Sequence, residues 1–216
     1  MYRVNIVYEG GPEETFEWTH YLSNHLPLAC GVSSRHAPII YCDVDQPLAE
    51  GAGSKIRCIC TVYFADGETQ NRFRAFFADA HPDSLEIISD QPNYTAIEPA
   101  FNAGDFVTDT SSPVTAKYRV RVLFSEATGS PDSLSEAKSL LTEKMGKILG
   151  VEVDYCRADV PENSKPKFSE IWSYYFDELE PAYFSGEFQK RFNGNVQVCI
   201  SNLINFDMKL AEKYSL

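Results

Sequence analysis

Long apolar runs are missing from this chain of 216 residues, although 44% of it is hydrophobic. No stretch approaches the roughly 20 residues that a membrane-spanning helix needs. Runs of Lys or Arg are missing too. Lys and Arg total 19 against 31 Asp and Glu, a net charge of −12, which speaks against nucleic acid and acidic membrane surfaces as partners. The six cysteines contain no Cys-x-x-Cys pair, so neither a redox motif nor a zinc knuckle is indicated. Glycine-rich nucleotide fingerprints of the Gly-x-Gly-x-x-Gly or Walker type are also lacking. No cofactor and no metal site is therefore expected.

What is present reads as a packed globule, with 13% aromatic residues and scattered glycines. The opening Met1-Tyr2-Arg3-Val4-Asn5-Ile6-Val7 has the pattern of a strand and not of a signal peptide, which makes the cytoplasm the expected compartment. Charge is unevenly spread. Residues 1–112 hold 6 basic and 16 acidic residues, whereas residues 113–216 hold 13 and 15. Cys58 and Cys60 stand two apart in an alternating strand and share a face, where free thiols act as small hydrophobes.

A repeat organises the pattern. Tyr2-Arg3-Val4-Asn5-Ile6-Val7-Tyr8 returns as Tyr118-Arg119-Val120-Arg121-Val122-Leu123-Phe124. Each copy leads into a helical stripe, ending at Cys30-Gly31-Val32 or Leu149-Gly150-Val151. Two strand-like segments follow, the second ending in Tyr63-Phe64 or Tyr175-Phe176. A second helix and a last strand come next, at 100–107 and 197–204. The order β-α-β-β-α-β is the split βαβ, or ferredoxin-like, unit. The expected fold is α+β: two such repeats, 1–112 and 113–216, forming an intramolecular dimeric α+β barrel. The linker is Thr108-Asp109-Thr110-Ser111-Ser112-Pro113.

Leu134, Ala137, Leu141, Met145 and Ile148 make an amphipathic stripe behind a Ser133-x-x-Glu136 capping box. In the first half Trp18, Leu22 and Leu26 make the stripe, and Pro27 is expected to kink or end it. Phe73, Phe76, Phe77 and Ala80 form the next helix, interrupted at Pro82. Sheets facing inward would enclose a cavity for a small hydrophobic or aromatic molecule. A homodimer of such pseudo-dimers stays open as an assembly.

The first half carries Phe16-x-x-x-x-Tyr21-Leu22-x-x-His25-x-Pro27-Leu28 and Phe73-x-x-Phe76-x-x-x-x-His81. It then carries Ile88-x-Asp90-x-Pro92-Asn93-Tyr94-Thr95-x-Ile97-Glu98-Pro99. Over residues 2–108 it resembles the EthD family of the dimeric α+β barrel superfamily. The second half departs from that pattern: Lys144 stands opposite His25, Leu140 opposite Tyr21, and the Pro-Asn-Tyr-Thr segment is missing. The resemblance implies an oxidoreductase-type or related cavity enzyme acting on an aromatic or ketide-like compound. Relatives with this barrel include cofactor-free monooxygenases, isomerases, cyclases and haem-dependent enzymes. A non-catalytic accessory protein that binds such a compound for a partner enzyme is the alternative.

Tyr21 and His25, one helical turn apart, are the candidate catalytic pair. A histidine exchanges protons near neutral pH, and a tyrosine hydroxyl orients a substrate oxygen. His81, Asn93 and Tyr94 are candidate substrate-binding residues. Each has a structural alternative: His81 as a brace for the broken helix, and Asp90, Asn93 and Tyr94 as turn-forming residues. His20 is expected at the surface and His36 in a loop.

Overall fold

A computed structural model describes residues 1–11, 13–48, 54–79, 81–108, 114–125, 135, 138–139, 141–143, 147–156, 167–179 and 196–215. Strand β1 is Tyr2–Glu9, β2 Tyr41–Pro47, β3 Ile56–Phe64 and β4 Pro99–Thr108. Strand β5 is Tyr118–Phe124, β6 Gly150–Cys156, β7 Glu170–Phe176 and β8 Val196–Asn205. All pair antiparallel in one closed barrel, in the order β1-β3-β2-β8-β5-β7-β6-β4.

This closure corrects the expected fold class. The chain does not form two ferredoxin-like α+β repeats with sheets laid face to face. It forms one continuous eight-stranded antiparallel barrel with few helices. The reason is the edges. Strand β2 pairs with β8 from Asp43↔Asn205 to Pro47↔Ser201, and β4 pairs with β6 from Gly104↔Cys156 to Thr108↔Glu152. Edge strands left open would expose unpaired backbone donors and acceptors, and closing the sheet removes them. Gly104 permits the second seam, because a Cβ there would collide with the Tyr155 backbone.

The helices of the first half cover the outer face of their own strands. Helix α1 (Trp18–His20), a π-helical turn (Tyr21–His25) and α2 (Leu26–His36) run on without a break, followed by α3 (Gly67–Ala78) and α4 (Pro82–Asp90). Pro27 does not end this helix. The π turn widens the backbone just before it, the Leu26 N–H bonding the Tyr21 carbonyl, and the missing proline N–H falls in the first turn of α2. Gly31, expected at the helix end, lies inside α2. A Cβ there would strike the Ala211 carbonyl and Tyr214 of the C-terminal 3-10 helix (Met208–Tyr214). Gly150 likewise opens β6. Of the second-half stripe, Leu141 is fully buried; Leu134, Ala137, Met145, the capping box and linker positions 109–113 lie outside the described residues.

Alternation along the strands sorts two environments. On β1, Val4, Ile6 and Tyr8 face the helices and join the core that contains Tyr21, Leu26 and Phe73. Arg3, Asn5 and Val7 face the lumen. The lumen is not the apolar cavity anticipated. Arg3 binds Asp154 at 2.6 and 2.7 Å and also Glu152, while Arg119 binds Asp45 at 2.8 and 2.6 Å and Asp43 at 2.5 Å. Arg121 reaches Asp45 at 2.7 Å, Asn5 at 2.7 Å and Thr61 at 2.5 Å. Burial alone would raise the carboxyl pKa of Asp45, yet Arg119 and Arg121 outweigh it and hold that pKa below its ordinary value. Beside this layer, Val7, Ile59, Leu123, Ile171 and Cys199 form an apolar plug drawn from both halves of the chain.

Candidate functional site

The cavity lies outside the barrel, between the outer sheet face and the helices. Its volume is about 310 Å³, at the small end of typical ligand sites. Ile6, Leu26, Phe73, Phe77 and Phe101 contribute apolar wall, and Tyr8, Tyr21, His25, Tyr94, Gln91 and Glu98 bring polar groups.

His25 closes the π turn and is 5% exposed. Its Nδ1 lies 3.0 Å from Asp90 Oδ2, and its Nε2 lies 3.1 Å from the Tyr94 hydroxyl. The Tyr94 hydroxyl in turn lies 3.0 Å from that of Tyr8. Asp90, at the end of α4, also accepts from the Asn93 amide at 2.8 Å and sits 3.0 Å from His20 Nε2. π-helical turns recur at functional sites because they re-aim one side chain within a helix. Here the turn places His25 against a segment 65 residues later in the chain.

Electrostatics gives this chain of groups a direction. Burial pushes His25 down to a pKa of about 4, against the opposing pull of Asp90. Burial tends to raise Asp90, but hydrogen bonds from Asn93, His20 and His25 outweigh it and hold the carboxyl below its ordinary range. At neutral pH Asp90 is therefore ionised and accepts from His25 Nδ1–H. Neutral His25 keeps its lone pair on Nε2, and the Tyr94 O–H donates to it. The Tyr8 O–H then donates to the Tyr94 oxygen. Burial raises the pKa of both tyrosines, so both stay protonated.

The sequence-expected residues fall in three groups. His25 and Tyr94 meet at the cavity wall. Tyr21 also lines the cavity, its ring stacked on His25 at 5.4 Å. Asn93 is exposed and acts through Asp90. His81 stands apart: its Nδ1 accepts from Asp83 N at 3.1 Å and caps α4. His20, read as surface, reaches Asp90, and His36, read as loop, ends α2. Sequence reasoning missed Tyr8 and Glu98 as cavity groups. Tyr8 was within reach, since Ile6 and Tyr8 alternate onto one strand face.

No family model matches the chain, and no curated protein does. Among solved structures, the chain is similar to an EthD-like protein from Ralstonia eutropha JMP134. The two are 24% identical over 51% of this chain and 95% of that one, with a TM-score of 0.41. It is also similar to a monooxygenase candidate from Fusobacterium nucleatum, 8% identical over 95% and 93% of the two chains, TM-score 0.47. A chlorite dismutase mutant from Candidatus Nitrospira defluvii is 8% identical over 100% and 95%, TM-score 0.41. Among the described residues no helix is long and apolar enough to cross a membrane.

Proposed function

We propose that the protein is an EthD-like cavity enzyme that moves a proton on a small aromatic or ketide-like molecule. The observation that carries this reading is the buried, neutral His25 held between ionised Asp90 and the Tyr94–Tyr8 hydroxyl pair at the cavity wall. Residues of two of the three motif segments, Tyr21, His25, Asp90, Asn93 and Tyr94, converge on this cluster, which supports the family reading. A substrate hydroxyl or enol donates its proton to the Tyr94 oxygen as the Tyr94 proton passes to His25 Nε2. Asp90 then faces an imidazolium and stabilises it. Proton removal of this kind is common to isomerising, cyclising and oxidative reactions on phenols and ketides.

The lining also supports a charge preference. Glu98, at the exposed margin, is the acidic residue of the lining, and neither Lys nor Arg is among the lining residues. An anionic ligand would bury its charge without a counter-ion, which is costly. The substrate is therefore neutral or cationic and carries a hydroxyl, or a ketone that supplies one in its enol form.

The test is a native mass spectrometry screen of phenols, aryl ketones and matched aryl carboxylates, followed by turnover assays on the ligands that bind. Phenols or ketones bound and converted, with conversion lost in His25→Ala, is the expected result. Preferential binding of the carboxylates would overturn the charge preference. Binding without conversion would favour the accessory-protein reading, to which the mutual satisfaction of the four-group chain lends support.

A further inference from the structure

A second cluster of ligating side chains lies where α2, the α3–α4 connection and α4 meet. His36, His81 and Asp83 bring one ligand atom each to within 4.8 Å of one another. His36 Nε2 is already 2.8 Å from Asp83 Oδ2. Both rings are held by Phe76 of α3: His36 stacks on it at 4.8 Å and 22°, and His81 packs at 5.4 Å. The two imidazoles lie 4.4 Å apart, centroid to centroid. All three residues are partly exposed, so water and ions reach them.

We propose that His36, His81 and Asp83 bind a divalent transition-metal ion of the zinc type. Two imidazoles and one carboxylate suit such an ion, and three protein ligands leave room for bound water. Ligand atoms around zinc stand about 2.0–2.2 Å from the ion. His36 and Asp83 need to separate only slightly to admit it, and the ion replaces the proton they share, the His36 ring turning to its Nδ1–H tautomer or releasing the proton to water.

Two features oppose binding and shape the test. The N-terminus of α4 disfavours a cation, whereas the C-terminal end of α2, where His36 sits, favours one. His81 Nδ1 already accepts from the Asp83 N–H that caps α4, so an ion at that nitrogen competes with the cap. The site is therefore one of moderate affinity, responsive to free metal rather than permanently filled. It is separate from the proposed His25 chemistry and stands or falls without it.

The experiment is titration of the full chain with Zn²⁺ by calorimetry and with Co²⁺ by visible absorption. One equivalent should bind, with a cobalt spectrum of nitrogen and oxygen ligation and without the thiolate charge-transfer band that binding to the cysteines would give. His36→Ala and Asp83→Asn should each weaken binding at least about tenfold. His81→Asn should do the same while keeping a side-chain acceptor for the α4 cap, which guards against a merely unfolded variant. His25→Ala should leave the titration unchanged. Absence of stoichiometric binding, a thiolate spectrum, or indifference to the His36 and His81 variants would overturn the proposal.

Discussion

The two faces of β1 answer the same problem, buried polar groups, in opposite ways. Toward the lumen, Arg3 is matched by two carboxylates from β6, and Arg119 of β5 by two from β2. Charge meets charge across the barrel. Toward the helices, Tyr8 begins a chain of neutral hydroxyls that ends on one histidine and one carboxylate. Full ion pairing inside leaves little for a ligand to do. Outside, the proton transfer proposed for this chain would set the imidazolium it forms against Asp90. The lumen is therefore read as scaffold and the cavity as site.

The comparison breaks most visibly at Arg119. Arg119→Met leaves Asp43 without its closest cation and Asp45 with Arg121 alone. Stripping one partner from a buried pair costs about 3–5 kcal/mol, a loss measurable by denaturant unfolding. Ligand affinity of the remaining folded protein should be unchanged, since the variant lies on the other face. Tyr94→Phe should do the reverse. It removes the hydroxyl between Tyr8 and His25, with turnover expected to fall about 100-fold and stability by only about 1–2 kcal/mol.

A pH titration separates the two faces next. His25 has a lower pKa folded, about 4, than its ordinary 6.5. The unfolded chain thus binds more protons between those values, and folding stability falls as pH drops from about 6.5 toward 4. The contribution is at most about 3 kcal/mol, and His25→Gln should flatten that part of the stability curve. Tyr21→Phe is the smallest test. Its ring stacks on His25 and is kept in the variant, so turnover should fall by about fivefold or less.

Much of the scaffold was legible from strand alternation. The segments beginning at Tyr2 and Tyr118 are strands of the expected extent. The ion-paired lumen was written in the same code, in Asp43-x-Asp45, Arg119-x-Arg121 and Glu152-x-Asp154, each pair two apart and thus on one face. Those spacings went unused because isolated charges on strands ordinarily face water. Barrel closure was not legible, since which edges pair depends on non-local register. At the site, helical spacing correctly brought Tyr21 beside His25. It could not show that the hydroxyl bonded to His25 comes from Tyr94, 69 residues away. Nor could it show the π turn, which depends on tertiary packing.

Nitrogen NMR of His25, across pH and with a bound phenol, tests the central claim most directly. The account predicts a neutral ring protonated on Nδ1 at pH 7, titrating near pH 4, with its Nε2 resonance moved when the phenol binds. An imidazolium at neutral pH, or an Nε2 resonance indifferent to ligand, would contradict it.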